Sequence, residues 1–146
     1  MSASFWLRTG AIWGFLAVAM GAFGAHGLRE RFESLGNVPG GLTTARLNEN
    51  FHTASQYQMY CAFALLAVGL MAQSGRNSGP ALDAAGWLFL AGSLVFSGSL
   101  YILCVTGDKW YGRITPFGGI AMLAGWIALA LAAGASSKFT GEIGTP

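Results

Sequence analysis

Four long apolar stretches alternate with shorter, more polar connections along this chain. They lie at about 5–25, 53–73, 84–105 and 114–135, and apart from Arg8 near the start of the first they contain no Asp, Glu, Lys or Arg. Each is close to the ~20 residues that a helix needs to cross a bilayer. Because a segment in hydrocarbon must pair its own backbone groups, these stretches should be helices. The pattern predicts an all-α fold, an integral membrane antiparallel four-helix bundle that forms a single domain over residues 1–146.

The remaining residues form short connections, one long loop at 26–52 and a tail at 136–146 that we expect to be flexible. Four spans place both termini on the same side of the membrane. Of the eight Lys and Arg residues, five fall on the side of the long loop and three on the terminal side. By the positive-inside rule, this difference predicts that the termini lie outside.

Composition supports a membrane protein and argues against a nucleic-acid partner. Charged residues make up 10% of the chain and hydrophobic residues 53%, whereas a soluble domain has about a quarter charged residues. The formal net charge is only +2, and the charges are scattered through the connections without a basic block. The lipid bilayer is therefore the first partner that we expect.

Small residues recur on the first and fourth stretches at alternating spacings of three and four. The glycines that carry these two seams are Gly10, Gly14, Gly21, Gly24, Gly118 and Gly125. Since lipid gives helices no hydrophobic reason to associate, close contact at small residues supplies much of the packing. The spacing predicts left-handed crossings near +20°. Exposed seams would imply oligomers, whereas seams used inside the bundle would carry no such implication, and the sequence does not choose between the two.

Polar side chains within the spans gather in the half of the bilayer that faces the long loop. The candidate set is His26, Gln56, Tyr57, Tyr60, Ser97, Ser99 and Tyr101. Polar groups at membrane depth generally face the bundle interior. One interpretation is a polar pocket that opens toward the loop. The other, which we prefer at this point, is a network of interhelical hydrogen bonds that holds the bundle together.

Signatures of enzyme chemistry are absent from the sequence. It contains no H-E-x-x-H, G-x-S-x-G or Walker motif. No carboxylate lies within a span, which removes the usual proton relay of pumps. His26 and His52 have no Cys or carboxylate at ligand spacing. We therefore predict no catalytic residue, no metal site, no cofactor and no enzymatic activity.

Four ordered motifs together resemble the DUF423 family, which is similar to the small transmembrane protein 256 of animals. They are Gly-Ala-Phe-Gly-Ala-His at 21–26, Tyr57-Gln58, Phe-Ser-Gly-Ser-Leu-Tyr at 96–101 and Ile-Thr-Pro-Phe-Gly-Gly at 114–119. The resemblance covers about residues 5–134 and implies a four-helix protein of the bacterial inner (plasma) membrane, with no implied activity. The chain departs from the family at Cys61, where relatives often have His, and its 36–41 stretch resembles a surface insertion.

The sequence is most consistent with a non-catalytic accessory or assembly factor of the membrane. Small size, glycine seams and the lack of catalytic motifs favour that function. Its protein partner would be a larger membrane complex or a second copy of the chain. The alternative is a stand-alone binder or transport path for a small polar or amphipathic molecule, which the one-sided polar cluster favours.

Overall fold

The structure, a computed structural model, is all-α over the residues it describes, which are 1–36, 41–75 and 79–141, with side chains as far as residue 134. The helices are α1 (Ala3–Gly27), α2 (Arg29–Gly36), α3 (Thr44–Gln73), α4 (Pro80–Thr106), a 3₁₀ helix (Lys109–Arg113) and α5 (Thr115–Gly141). No strand occurs within the described ranges.

Three segments are long and apolar enough to cross a membrane, namely Ala3–Gly27, Pro80–Thr106 and Lys109–Gly134. They contain the first, third and fourth stretches that hydropathy predicts. The second stretch lies in α3, which at 30 residues is the longest helix. Its N-terminal half carries Gln56 and Gln58 among other polar residues, and these lower its mean hydropathy. Hence α3 matches the other three helices in length but is less apolar.

The predicted loop at 26–52 is wrong for most of its length, because it contains α2 and the first nine residues of α3. Thr43 begins α3 as its N-cap, where the side chain accepts a hydrogen bond from the Arg46 N–H at 3.2 Å. Leu47 and Phe51 are buried on one face of this first part of α3. Charged residues on the other face gave the segment a loop-like composition, although its apolar residues follow a helical spacing.

Two further predictions, the surface insertion at 36–41 and the flexible tail at 136–146, fall partly outside the described residues. Residues 37–40 of the insertion-like stretch are among those outside. Helix α5 continues through Gly141, past the predicted start of the tail at 136, and residues 142–146 lie outside the described part of the chain.

Consecutive long helices pack against each other in antiparallel pairs. Helix α1 packs on α3, with Gly10 beside Leu66 and Gly24 beside Phe51. Helix α3 packs on α4, where the Ser97 hydroxyl donates to the Ala54 carbonyl at 2.8 Å. Helix α4 packs on α5 around Gly92 and Gly118. Because α1 and α4 both contact α3, they run parallel to each other.

Both glycine seams lie between helices of the same chain. A Cβ at Gly24 would overlap the Phe51 ring of α3, and one at Gly118 would overlap the backbone of Phe96 on α4. The full set of contacts places Gly10, Gly14, Gly21 and Gly24 against α3, and Gly118 and Gly125 against α4. Such close approach of two backbones is what small residues permit in membrane helices.

Two clusters of buried side chains form the core. The larger one surrounds Trp6, Phe89 and Leu65, toward the ends of the helices that lie near the N-terminus. The smaller one, at the opposite end, includes Phe32 of α2 and Phe51 of α3. Helix α2 lies in the connection between α1 and α3. It therefore covers the end of the molecule where α3 begins and α4 ends.

Candidate functional site

The interior polar groups are centred on Gln58 of α3, which is 5% exposed. Its Nε2 donates to the Trp13 carbonyl of α1 at 3.3 Å, and its Oε1 accepts from the Tyr101 hydroxyl of α4 at 2.9 Å. One amide thus joins three helices. Because an amide has two donors and two acceptor lone pairs, it suits such a junction.

The serines of α4 extend this network on both sides. Ser93 accepts from the Trp13 indole N–H at 2.9 Å, and Ser97 donates to a carbonyl of α3 as described above. Ser99 turns toward α5, where its hydroxyl lies 2.8 Å from that of Thr115. In the part of the chain that the structure describes, no buried side-chain N or O atom lacks a hydrogen-bond partner. The interior network is therefore complete within the chain.

A crevice of about 220 Å³ opens beside this network, between α1 and α4. Its exposed lining is almost entirely apolar and includes Trp13 and Leu16, while Gln58, Ser97 and Tyr101 contribute very little polar surface. The crevice is open on one side and lies next to the network. It is therefore an apolar crevice and not a polar pocket.

The structure does not bring the seven predicted pocket residues together. Ser97 and Ser99 are buried and Tyr101 is half-buried in the network. Gln56, Tyr57 and Tyr60 lie on the exposed side of α3, and His26 is exposed near the end of α1. Residues two apart on a helix are separated by about 200° of rotation, so Gln56 and Gln58 necessarily point in opposite directions.

Gln58 is the central network residue that the predicted site omitted. A signal for it exists in the sequence, since it falls in a series with Ala54, Cys61, Leu65 and Val68 at spacings of four and three. All five of these residues are buried. The opposite side of the helix carries a second series with the same spacing, however, so periodicity alone could not choose between Gln56 and Gln58.

That second series forms what we call the outward stripe of α3, defined as Gln56, Tyr60, Phe63, Ala67 and Leu70. Tyr60 is 54% exposed, Phe63 60% and Leu70 59%, while Ala67 is half-buried. Neither the Gln56 amide nor the Tyr60 hydroxyl forms a hydrogen bond within the described residues. The stripe thus combines polar groups that lack partners in the described part of the chain with large exposed apolar side chains.

The outward stripe lies level with the middle of α1. Ala62 of α3 packs beside Gly14, which is near the middle of this apolar helix. At 1.5 Å per residue, Tyr60 is about 3 Å and Gln56 about 9 Å from that level. The hydrocarbon core of a bilayer is about 30 Å thick, so a membrane centred on α1 would enclose both side chains. Exposed amide and hydroxyl groups would be costly there.

A groove of about 380 Å³ separates the outward stripe from α5. It is mainly apolar, and its walls include Tyr57, Tyr60, Met122 and Trp126. The Tyr57 ring packs on Phe96 with a centroid distance of 4.8 Å. The groove lies between the stripe and α5, so that side of α3 remains exposed.

Comparison with known proteins identifies the family. The model of the family described as "Protein of unknown function (DUF423)" matches residues 20–119. The chain belongs to the DUF423 family. It is 44% identical over 124 residues to the UPF0382 membrane protein YwdK of Bacillus subtilis (strain 168), an alignment that covers 85% of this chain and 91% of the relative.

Two further relatives extend the match. The chain is 42% identical over 132 residues to the UPF0382 membrane protein SAB0533 of Staphylococcus aureus (strain bovine RF122 / ET3-1), which covers 90% of this chain and 94% of the relative. A UPF0382 membrane protein of Haemophilus influenzae (strain ATCC 51907 / DSM 11121 / KW20 / Rd) is 40% identical over 120 residues, covering 82% and 86%. No solved structure matches the chain significantly.

The DUF423 match confirms the resemblance seen in the sequence motifs. Together with the three apolar helices it establishes a membrane protein whose family has no assigned function. The matched range 20–119 contains the outward stripe and all of the Gln58 network except Trp13. Family membership therefore applies to the part of the chain that carries both features, but it assigns neither of them a role.

Proposed function

We propose that this DUF423 protein is a non-catalytic accessory or assembly factor of the bacterial inner membrane. In this proposal α1, α3, α4 and α5 form a four-helix bundle, and the protein acts by associating with another membrane protein through the outward stripe of α3. The observation that carries the proposal is the contrast between the two sides of α3. The amide of Gln58 has hydrogen-bond partners inside for both its nitrogen and its oxygen, whereas that of Gln56 faces outward without a partner among the described residues.

The energetics of hydrocarbon favour association at this stripe. Lipid tails cannot donate or accept hydrogen bonds, so an uncovered Gln or Tyr at this depth remains unsatisfied. A partner helix that offers donors and acceptors would relieve that cost, and interhelical bonds of this kind contribute about 0.6 kcal/mol each on average. The exposed rings and methyl groups of the same stripe would add van der Waals contact.

The test compares what co-purifies with the wild-type chain and with a stripe variant. Two differently tagged copies are expressed together, membranes are extracted in mild detergent, and all proteins eluting with one tag are quantified by mass spectrometry. We expect a partner in stoichiometric amount, which is lost from Gln56→Leu/Tyr60→Phe. Phe15→Leu is the matched control, because Phe15 is 72% exposed on α1 at similar depth. A wild-type chain that always elutes alone contradicts the proposal.

A second candidate function is binding of a small polar or amphipathic molecule in the crevice between α1 and α4. The specific observation in its favour is that this open, mainly apolar crevice reaches the hydrogen bond between Gln58 and Tyr101, so an amphipathic molecule could place its apolar part in the crevice and its polar group near that bond. Native mass spectrometry of the purified protein would then detect a bound molecule that Ser97→Ala/Tyr101→Phe loses while its helicity is retained. If the wild-type protein carries no molecule, or the variant keeps it, the crevice is only part of the packing network.

A further inference from the structure

The outward stripe has the spacing with which two helices pack along a left-handed seam. From Gln56 the intervals to Tyr60, Phe63, Ala67 and Leu70 are four, three, four and three. This repeat keeps one face of a helix in contact with a neighbour that crosses at about +20°. None of the helices that the structure describes covers this face, since its large side chains remain more than half exposed. The seam thus lacks its second helix.

Membrane insertion restricts how two copies of this chain can meet. Copies inserted in the same orientation form a closed dimer only about a twofold axis along the membrane normal, which gives an interface made of the same patch on both subunits. Each residue near the axis then meets its own counterpart at equal depth. Any polar side chain in a stripe that pairs with itself must therefore be able both to donate and to accept a hydrogen bond.

The polar residues of the stripe meet that condition. The Gln56 amide has donors and acceptors, and the Tyr60 hydroxyl has both as well. Neither is charged, so no like charges are brought together at the axis. Phe63, Ala67 and Leu70 continue the seam with apolar contacts. The groove beside Tyr60 also keeps α5 out of the path of an approaching α3 helix.

We propose that α3 docks in parallel against α3 of a second copy, with the twofold axis passing beside Gln56, Tyr60 and Phe63. This inference rests on the proposed function and names the partner of the same stripe. Gln56 of each subunit hydrogen-bonds its counterpart and fixes the register, as a single polar residue does in a coiled-coil seam. The accessory unit is then a dimer.

Disulfide cross-linking in native membranes tests this arrangement. Gln56→Cys, Tyr60→Cys and Phe63→Cys are each oxidised with copper phenanthroline and analysed by non-reducing electrophoresis. A disulfide needs Cα atoms within about 7 Å, so only positions beside a twofold axis form a bond to the same residue of another copy. We expect at least two of these variants to give covalent dimers. The wild-type chain is the blank because Cys61 and Cys104 are buried.

The control separates specific docking from random collision. Phe15→Cys lies at similar depth on α1 and is highly exposed, so collision in the bilayer would cross-link it at least as readily. Equal cross-linking at Phe15→Cys and at the stripe overturns the inference, as does its absence at all three stripe positions. If another protein still co-purifies through the stripe in that case, the proposed function stands and only the identity of the partner is wrong.

Discussion

At the scale of single residues, two glutamines two positions apart have opposite surroundings. The amide of Gln58 is enclosed by α1 and α4 and holds partners on both, whereas that of Gln56 faces away from the chain. A buried polar group that loses its partner costs about 1–3 kcal/mol, but removing an exposed one costs little in the monomer. The same chemical group thus serves internal packing at one position and is free for intermolecular contact at the other.

Replacing Gln58 should destabilise the fold, and replacing Gln56 should not. Gln58→Leu leaves the Trp13 carbonyl and the Tyr101 hydroxyl without their partner, so the free energy of unfolding should fall by about 1–3 kcal/mol. This free energy is measured by reversible unfolding in mixed micelles, at a dilution where the protein is monomeric. Gln56→Leu is the matched control and should stay within about 0.5 kcal/mol of wild type. Equal losses for the two variants would mean that Gln58 has no special packing role.

The link between Gln58 and Tyr101 can be measured directly with a double-mutant cycle. Gln58→Leu, Tyr101→Phe and the double variant should give a coupling energy of about 0.6 kcal/mol, the mean for interhelical hydrogen bonds in membranes. The two side chains share one bond of 2.9 Å, so their effects should not add. Additive effects would contradict a direct interaction between them.

The inner and outer sides of α3 show why the candidate site was only partly predictable. Both sides carry a glutamine and both follow a spacing of four and three, so the sequence alone gives no preference. The choice is made by packing, since the side that bears Ala54 and Cys61 lies against α4 and α5. Ser97 and Tyr101 were placed in the polar interior because they lie four positions apart on one face of α4, whereas Ser99 lies on the opposite face and turns toward α5.

At the scale of helices, close packing depends on a few glycines rather than on glycine content. At Gly118 a Cβ would overlap the backbone of Phe96, whereas at Gly98 nothing lies within 4 Å of one. Backbone atoms cannot rotate away as a flexible side chain can, so α4 and α5 would have to separate. Membrane helices associate largely through such contacts.

Adding one methyl group at these two glycines should have different results. Gly118→Ala should lower the free energy of unfolding by about 1–3 kcal/mol, the usual cost of overpacking. Gly98→Ala fills open space and should be neutral or slightly stabilising, because Ala is the better helix former. Thermal unfolding in detergent, followed by circular dichroism, compares the two. If Gly118→Ala were as stable as Gly98→Ala, the α4–α5 contact could not be as close as the structure has it.

Hydropathy predicted the long helices well but missed where α3 begins. Stretch 84–105 falls within α4 and stretch 114–135 falls within α5 except for its first residue, because continuous apolar sequence has few alternatives in a membrane. The segment 44–52 is amphipathic, with Leu47 and Phe51 buried and charged residues outside. Its helical state depends on contact with α2 and α4, which a hydropathy average does not register.

At the scale of the whole molecule, the two ends of the long helices differ in positive charge, and this difference predicts which end faces the cytoplasm. Helix α2 and the 3₁₀ helix lie at one end, together with five of the eight Lys and Arg residues, and the N-terminus lies at the other. The pairing of Arg29 with Glu33 and of Arg46 with Glu49 does not cancel this bias, since acidic residues contribute little to orientation. The α2 end should therefore face the cytoplasm.

Labelling from one side of the membrane tests this orientation. Ser4→Cys at the start of α1 and Ser34→Cys on α2 are both exposed, whereas the native cysteines are buried. In intact bacterial spheroplasts, a membrane-impermeant maleimide should modify Ser4→Cys at once and Ser34→Cys only after permeabilisation, because the positive-inside rule retains the α2 end in the cytoplasm. The opposite order of labelling would mean that the α2 end faces away from the cytoplasm. It would not affect the proposed contacts of the outward stripe. Labelling of both sites without permeabilisation would contradict a membrane-spanning arrangement altogether.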